Sequence, residues 1–308
     1  MPTPMLSSQW PRFVLPMVRN VWYQQLTGIV SPVADLYGTR ASTTSVEYSQ
    51  GIGNRGLVPE YNSATAEANG NSITYDAFSA LYEKTFTHKE YVSGLAIERK
   101  LVDDDQYGLI RQKAQSMGIE WGQTIAYYQS SLFVNAFNSS FVGGDAVELC
   151  SSVHPNRADD ASTTFSNYDT TPFSYDNIMA GIEKGIEMVN DRALPFPIIY
   201  DTVVVGPANR KKAREIFPAT GKPGGADNDA NALDSMRVIV DPLLGSSKNW
   251  FLVSSIQSTM HMLWYWRVRP EFAIAPDSDY NLVARYRGYM RFSFGWDDWR
   301  FVRGYKVT

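Results

Sequence analysis

Apolar side chains at Tyr107, Ile110, Ala114, Met117, Trp121, Ile125, Tyr128, Leu132 and Ala136 recur at steps of three and four residues. Those steps keep one side of an α-helix apolar and predict a long helix over 104–138. At 1.5 Å per residue it would run about 50 Å, longer than a compact domain of this size is wide. Asp103, Asp104 and Asp105 suit its entry, where free N–H groups and the helix dipole favour anions. Gly108, Gly118 and Gly122 weaken such a helix intrinsically, so packing has to hold it, and they would let another backbone approach closely.

The flanks have other rhythms. Residues 1–35 mix Pro2, Pro4, Pro11, Pro16 and Pro32 with Trp10, Phe13, Val18, Val21, Trp22 and Tyr23. This arm is too apolar for a solvated tail and cannot form a compact unit alone, so it should lie on its own domain or on a neighbouring subunit. Strand-like patterns over 45–58 and 80–101 bracket a polar, small-residue stretch at 59–75, which predicts a long β-hairpin. Beyond the helix comes a polar loop region, 138–171, and then a second helix over 175–191. Ser174 is its cap and Ile178, Ile182, Ile186 and Val189 its apolar face. FPIIYDTVVVGPANRKKAREIF reads as strand, turn and helix, with Pro207 at a first helical position. A loop over 218–235 and two short strands, MRVIVDP and NWFLVSS, complete an α/β pattern over 192–256. In LVARYRGYMRFSF, Leu282, Ala284, Tyr286, Met290, Phe292 and Phe294 alternate with an arginine-rich set, so this strand has one apolar and one charged face.

Composition narrows the class. The chain has 308 residues and a net charge of −4, enough for a large core and with no global pull toward nucleic acid or anionic membrane. Its single cysteine, Cys150, excludes an internal disulfide. The first twenty residues lack the basic region and apolar core of a signal peptide, and no run of about eighteen apolar residues could span a membrane.

Candidate chemistry is sparse. Gly51-Ile52-Gly53-Asn54-Arg55-Gly56 has dinucleotide-loop spacing, but Leu57-Val58-Pro59 follows where a helix should open, so a hairpin is the better reading. Asp227, Asp229 and Asn231 have calcium-loop spacing, but Ala232 and Val238 stand where that loop needs glycine and glutamate; an acidic surface loop fits better. His88, His154 and His261 are scattered and give no zinc pattern. Cys150 and His154 could pair as nucleophile and base, but a buried structural thiol is the commoner arrangement. Arg210, Lys211, Lys212 and Arg214 form a basic helix face, and Arg267, Arg269, Arg285, Arg287, Arg291, Arg300 and Arg303 stud the C-terminal strands. Nucleic acid and a subunit contact both remain open there, with the arginine, tyrosine and tryptophan content favouring the contact.

The order of parts resembles the major capsid (head) proteins of tailed bacteriophages, whose fold is shared with the herpesvirus capsid floor. EKTFTHKEYVSGLAIERKLVDDDQYGLI, VHPN and TVVVGPANRKKAREIF followed by MRVIVDPLLGSSKNWFLVSS are similar to the Mu-like head-subunit branch. The resemblance implies an α+β fold with an N-terminal arm (1–40), an extended β-hairpin loop (41–100), a peripheral domain (101–191, spine helix 104–138, with C-terminal strands 257–308) and an axial α/β domain (192–256). It implies a structural, non-enzymatic role without metal or cofactor: a subunit forming hexamers and pentamers of an icosahedral head around double-stranded DNA, found in the virion and assembled in the host cytoplasm. Partners would be further copies of the chain, a separate scaffolding protein, a portal protein and a cement or decoration protein, with non-specific contact to packaged DNA and no membrane. Little cleavage and no covalent crosslink are expected. Candidate subunit-interface residues are Trp10, Phe13, Trp22, Tyr23, Arg55, Glu60, Tyr61, Lys84, Lys222, Asp227, Arg285 and Arg287. The alternatives are a non-viral compartment shell, a phage decoration or tail protein, and a hydrolase working through Cys150 and His154.

Overall fold

The computed structural model describes residues 10–52, 80–104, 107–155, 163–217, 221, 230–275 and 282–307. Its helices are α1 (Trp10–Gly28), α2 (Arg99–Asp103), α3 (Tyr107–Val134), α4 (Tyr175–Ile186), α5 (Arg210–Ile216) and α6 (Ser255–His261). Its strands are β1 (Gly38–Ala41), β2 (Val46–Ile52), β3 (Ala80–Thr87), β4 (Lys89–Glu98), β5 (His154–Pro155), β6 (Thr164–Phe165), β7 (Tyr168–Asp169), β8 (Thr202–Val205), β9 (Arg237–Val240), β10 (Trp250–Val253), β11 (Met262–Ile274), β12 (Val283–Trp296) and β13 (Val302–Tyr305). The chain divides into two compact units: residues 1–47, 86–134 and 262–295, and residues 48–85, 135–261 and 296–308.

The first unit is a four-stranded sheet in the order β1-β11-β12-β4 together with α3 and α1. The expected spine exists as α3, about 42 Å long, and buries Ile110, Ala114, Met117, Trp121 and Leu132 as its spacing predicted. Before it lies the short helix α2, where Asp103 pairs with Arg99 at 3.2 Å. Asp103 thus takes part in an i,i+4 ion pair at the end of α2, and Asp105 lies outside the described residues. The arm is largely helical. Pro11 falls in the first turn of α1, where a missing N–H costs nothing, and Pro16 is carried inside it. Val14, Val18, Val21, Trp22 and Leu26 bury one side of α1, and α3 receives that side at two glycines. A Cβ at Gly118 would stand 2.6 Å from the Trp22 carbonyl oxygen, and one at Gly122 would stand 2.8 Å from Ile29 Cβ. Of the arm's two expected resting places, residues 14–37 take their own unit. The sheet's apolar face supplies the core, with Trp264 stacked on Phe292 at 4.5 Å and Gly288 leaving room for the Trp121 ring.

The second unit is built on a five-stranded sheet, β7-β13-β10-β8-β9. Every residue of β8, β10 and β13 is buried, which explains the apolar runs of β8 and β10. The expected α/β segment 192–256 is thus not self-contained. β10 takes its second antiparallel neighbour, β13, from the C-terminus, and β7 extends the sheet from residues before 192. Helix α4 starts as predicted, with the Ser174 hydroxyl accepting from the Asn177 N–H at 3.3 Å, but ends at Ile186. Its buried side is Ile178, Gly181 and Gly185, while Ile186 is exposed. The glycines let α4 sit directly on Tyr200 and Tyr305, so the isoleucine stripe is not the seat.

The expected hairpin is present as β2 paired with β3. It is shorter than 41–100, because β4 leaves it to pair with β12 from Glu98↔Val283 to Lys89↔Phe292. Gly51 and Ile52 are still in strand β2; Gly53 to Gly56 and the 59–75 stretch lie outside the described residues.

Candidate functional site

Two polar regions emerge, one in each unit. In the second unit both strands of the hairpin are fastened at their root. The Ser49 hydroxyl on β2 donates to Asp297 Oδ2 at 2.7 Å. On β3, Lys84 Nζ donates to the Val142 carbonyl at 2.6 Å and the Tyr82 hydroxyl to the Pro155 carbonyl at 3.1 Å. A Cβ at Gly144 would stand 2.9 Å from the Glu83 carbonyl oxygen, so the β3 backbone lies hard against this loop. Burial holds the Lys84 ammonium below its ordinary pKa, against the weaker opposing pull of Asp145. Beside the root lies a cleft of about 290 Å³ lined by Gln50, Tyr82, Trp296, Asp297, Trp299 and Arg300 among others. His261 donates to Asp297 at 2.9 Å. Burial alone would lower its pKa, but the Asp297 hydrogen bond and the charges of Asp298 and Asp297 outweigh that and raise it.

His154, also in this unit, is fully buried and stacked on Trp299 at 4.3 Å. Nδ1 meets Asp145 Oδ2 at 2.7 Å and Nε2 meets Asn167 Oδ1 at 3.2 Å. The Asn167 amide nitrogen donates to the Leu149 and Val302 carbonyls, and its oxygen accepts from the Ser151 N–H, so the amide's orientation is fixed. Both ring nitrogens therefore face acceptors. Cys150 is buried against Gly304, and burial pushes its thiol well above the ordinary pKa. With the imidazole committed on both sides and the thiol kept protonated, the two do not form a nucleophile–base pair, and the hydrolase reading loses its site.

In the first unit, the face of β12 opposite Tyr286, Met290 and Phe292 carries Arg285, Arg287 and Arg291. On β11 the corresponding positions are Arg267 and Arg269, and Arg40 of β1 reaches the Tyr265 hydroxyl at 3.5 Å. At one end sits buried His88, between the Ser42 hydroxyl (Nε2, 2.9 Å) and the Ser293 hydroxyl (Nδ1, 2.9 Å). Ser42 donates to Glu47 at 2.6 Å, so it accepts from Nε2–H, and Ser293 donates to Nδ1. Burial and then Arg291 lower the His88 pKa, with Arg267 adding to this and Glu47 opposing it. The ring is neutral.

The sequence candidates divide accordingly. Arg285 and Arg287 are exposed on one face of β12. Phe13 is 55% exposed on α1, and Tyr23 at the same helix's surface donates to the Pro270 carbonyl at 3.1 Å. One expectation needs correction: Trp22 has no exposed surface and is a core residue between Trp121 and Phe272. Lys84 is half-buried and donates to the Val142 carbonyl of its own chain. Trp10 begins α1; Arg55, Glu60, Tyr61, Lys222 and Asp227 lie outside the described residues. Asn231 is buried, donating to the Ile216 carbonyl, so that end of the supposed surface loop is structural. The hub roles of Asp145, Asn167 and Asp297 carried no sequence signal, since each partner is distant along the chain.

The comparisons with known proteins follow this geometry. The fold is similar to the procapsid of bacteriophage JBD30, with 13% identity, coverage of 98% of this chain and 76% of that one, and a TM-score of 0.54. It is also similar to the capsid of cyanophage P-SCSP1u, with 11% identity, coverage of 89% and 87%, and a TM-score of 0.56. A virus-like particle from Pyrococcus furiosus matches with 6% identity, coverage of 94% and 98%, and a TM-score of 0.53. At such identities the likeness is one of fold, the mixed α and β architecture of tailed-phage major capsid proteins. No curated protein matches the chain. The sequence model of one family, described as phage capsid protein, matches residues 82–307, well over half the chain. The chain therefore belongs to the phage capsid protein family: it is a major capsid subunit of a phage head, a structural protein of the virion.

Proposed function

We propose that copies of this chain join as hexamers and pentamers in a closed icosahedral shell around double-stranded DNA, and that the β2–β3 hairpin and the N-terminal arm reach neighbouring copies. The observation that carries this reading is the hairpin root. Three side-chain hydrogen bonds on two strands fix it to its own unit, so a load on the hairpin is passed to the body instead of being absorbed by a loose loop. Exposed apolar groups such as Tyr48 on β2, with 67% of its surface free, are wet in the single chain and would be covered in a shell, where many modest contacts add up. Assembly takes place in the host cytoplasm with a scaffolding protein and a portal protein, and the chain is of the Mu-like branch; the motif order in its sequence supports that branch.

Electron microscopy and sedimentation of the purified chain, alone and co-expressed with candidate scaffolding proteins, test the proposal. Closed shells or rings of five and six subunits are expected. A monomer or dimer under all those conditions would overturn it.

A further inference from the structure

We infer that buried Asn167, acting through His154 and Asp145, is a positioning residue that sets the direction in which the β2–β3 hairpin leaves its unit. The inference rests on the reading that the hairpin reaches a neighbouring copy, and it names the group that aims it. Three contacts of β3 with the rest of the unit fall on residues 142–155, a stretch with little regular structure: the Lys84 bond to Val142, the Tyr82 bond to Pro155 and the close approach of Gly144 to the Glu83 carbonyl. Irregular connecting segments are ordinarily the mobile parts of a protein. This one is held from within. The Gly143 N–H donates to the Val147 carbonyl at 2.8 Å, and Asp145 Oδ1 accepts from the Val147 N–H at 3.3 Å.

Asn167 is the fixed point of this arrangement. Its side-chain nitrogen donates to the Leu149 carbonyl at 2.8 Å and the Val302 carbonyl at 3.1 Å, its side-chain oxygen accepts from the Ser151 N–H at 2.8 Å, and its backbone carbonyl accepts from the Gly304 N–H at 2.8 Å. Residues 149–151 are thereby tied to β13, all four residues of which are buried. The same side-chain oxygen meets His154 Nε2, and Nδ1 meets Asp145, so an unbroken line of hydrogen bonds runs from the five-stranded sheet to the turn on which β3 lies. Stacking on Trp299 fixes the plane of the ring between them. A buried polar network whose members are all paired rigidifies what it holds. The seat therefore has one arrangement, and so has the strand resting on it. On β2 the tie is a serine hydroxyl on Asp297, which can rotate to another partner, so the hairpin takes its aim from β3. A contact repeated at one fixed angle closes a shell, and one repeated at a variable angle does not. Asn167 thus holds the shell to one diameter.

The test measures the hairpin's aim in the single full-length chain. Spin labels at Ala80→Cys, the far end of β3, and Glu183→Cys, exposed on α4 of the same unit, give a distance distribution by double electron–electron resonance, with the native Cys150 buried. Asn167→Ala should broaden that distribution at least about twofold. Val203→Ala opens a cavity in β8, two strands from β13, and should leave the distribution narrow even where its urea midpoint falls as far. His154→Asn keeps a donor for Asp145 and withdraws the ring from Asn167; it should broaden the distribution in the same way, and it serves if Asn167→Ala does not fold. Electron micrographs of the variants should show shells of mixed diameter or open sheets where the wild type gives one size. A distribution as narrow in these variants as in the wild type would overturn the inference, as would equal broadening by Val203→Ala. Variant shells of the wild-type diameter would overturn its consequence for assembly. A wild-type chain that builds no shells would instead sink the reading of the hairpin as a contact between copies, and the distance measurement would still decide whether Asn167 aims it.

Discussion

The buried histidines of the two units are held by opposite means. His88 in the first unit lies between two serine hydroxyls with arginines around it, and burial first, then the neighbouring Arg291, lower its pKa. His154 in the second unit lies between a carboxylate and an amide oxygen, so both of its nitrogens face acceptors. Either arrangement satisfies the polar atoms, as burial requires. They differ in what is left behind when the ring is removed: two hydroxyls, which can rotate to other partners, or a carboxylate with nowhere to go. A buried polar side chain is thus only as costly to lose as the group it was neutralising.

The same substitution made at both sites tests this. His154→Leu strands Asp145, whose side chain is only 4% exposed, and should cost about 3–5 kcal/mol in urea unfolding. His88→Leu removes two neutral hydrogen bonds while Ser42 keeps Glu47 as its acceptor, and should cost about 1–3 kcal/mol. Equal losses at the two positions would refute the carboxylate account. Adding Asp145→Ala to His154→Leu should recover part of the stability, a non-additive pair because the two residues share one contact.

Neither histidine network was legible in the sequence, whereas much of the fold was. The three- and four-residue steps of α3, the alternation of β12 and the cap at Ser174 are local patterns, and each appears where its spacing put it. Gly118 and Gly122 were also legible as a place of close approach, because a glycine inside a helix has little other use. Gly181 and Gly185 have the same spacing, yet the neighbouring isoleucines drew the predicted face away from them. What decided that case was tertiary: the Tyr200 and Tyr305 rings occupy the space a Cβ would need. The α1 helix was hidden by its prolines, and the β10–β13 pairing by the long stretch of chain, residues 254–301, between the strands. His88, for its part, meets Ser42 and Ser293 across separations that no window of sequence spans.

The finest distinction between the two electrostatic settings is in pH. His88 has a lowered pKa in the folded chain, so the unfolded chain binds more protons just below pH 6.5; its contribution is complete above that value and is lost as pH falls toward the folded pKa. His261, held by Asp297 and Asp298, has a raised pKa, so its contribution is complete below pH 6.5 and is lost as pH rises through the folded pKa. The two slopes have opposite sign and lie on opposite sides of an ordinary histidine's pKa of about 6.5. His261→Gln should therefore remove the decline in stability above that value, and His88→Leu should remove the climb below it. Urea midpoints across pH would show both, and histidine ring-proton resonances would give the individual titrations. If both variants kept the native pH profile, the carboxylate pair and the arginine face would not be setting these protonation states, and the opposition between the two settings would be one of geometry alone.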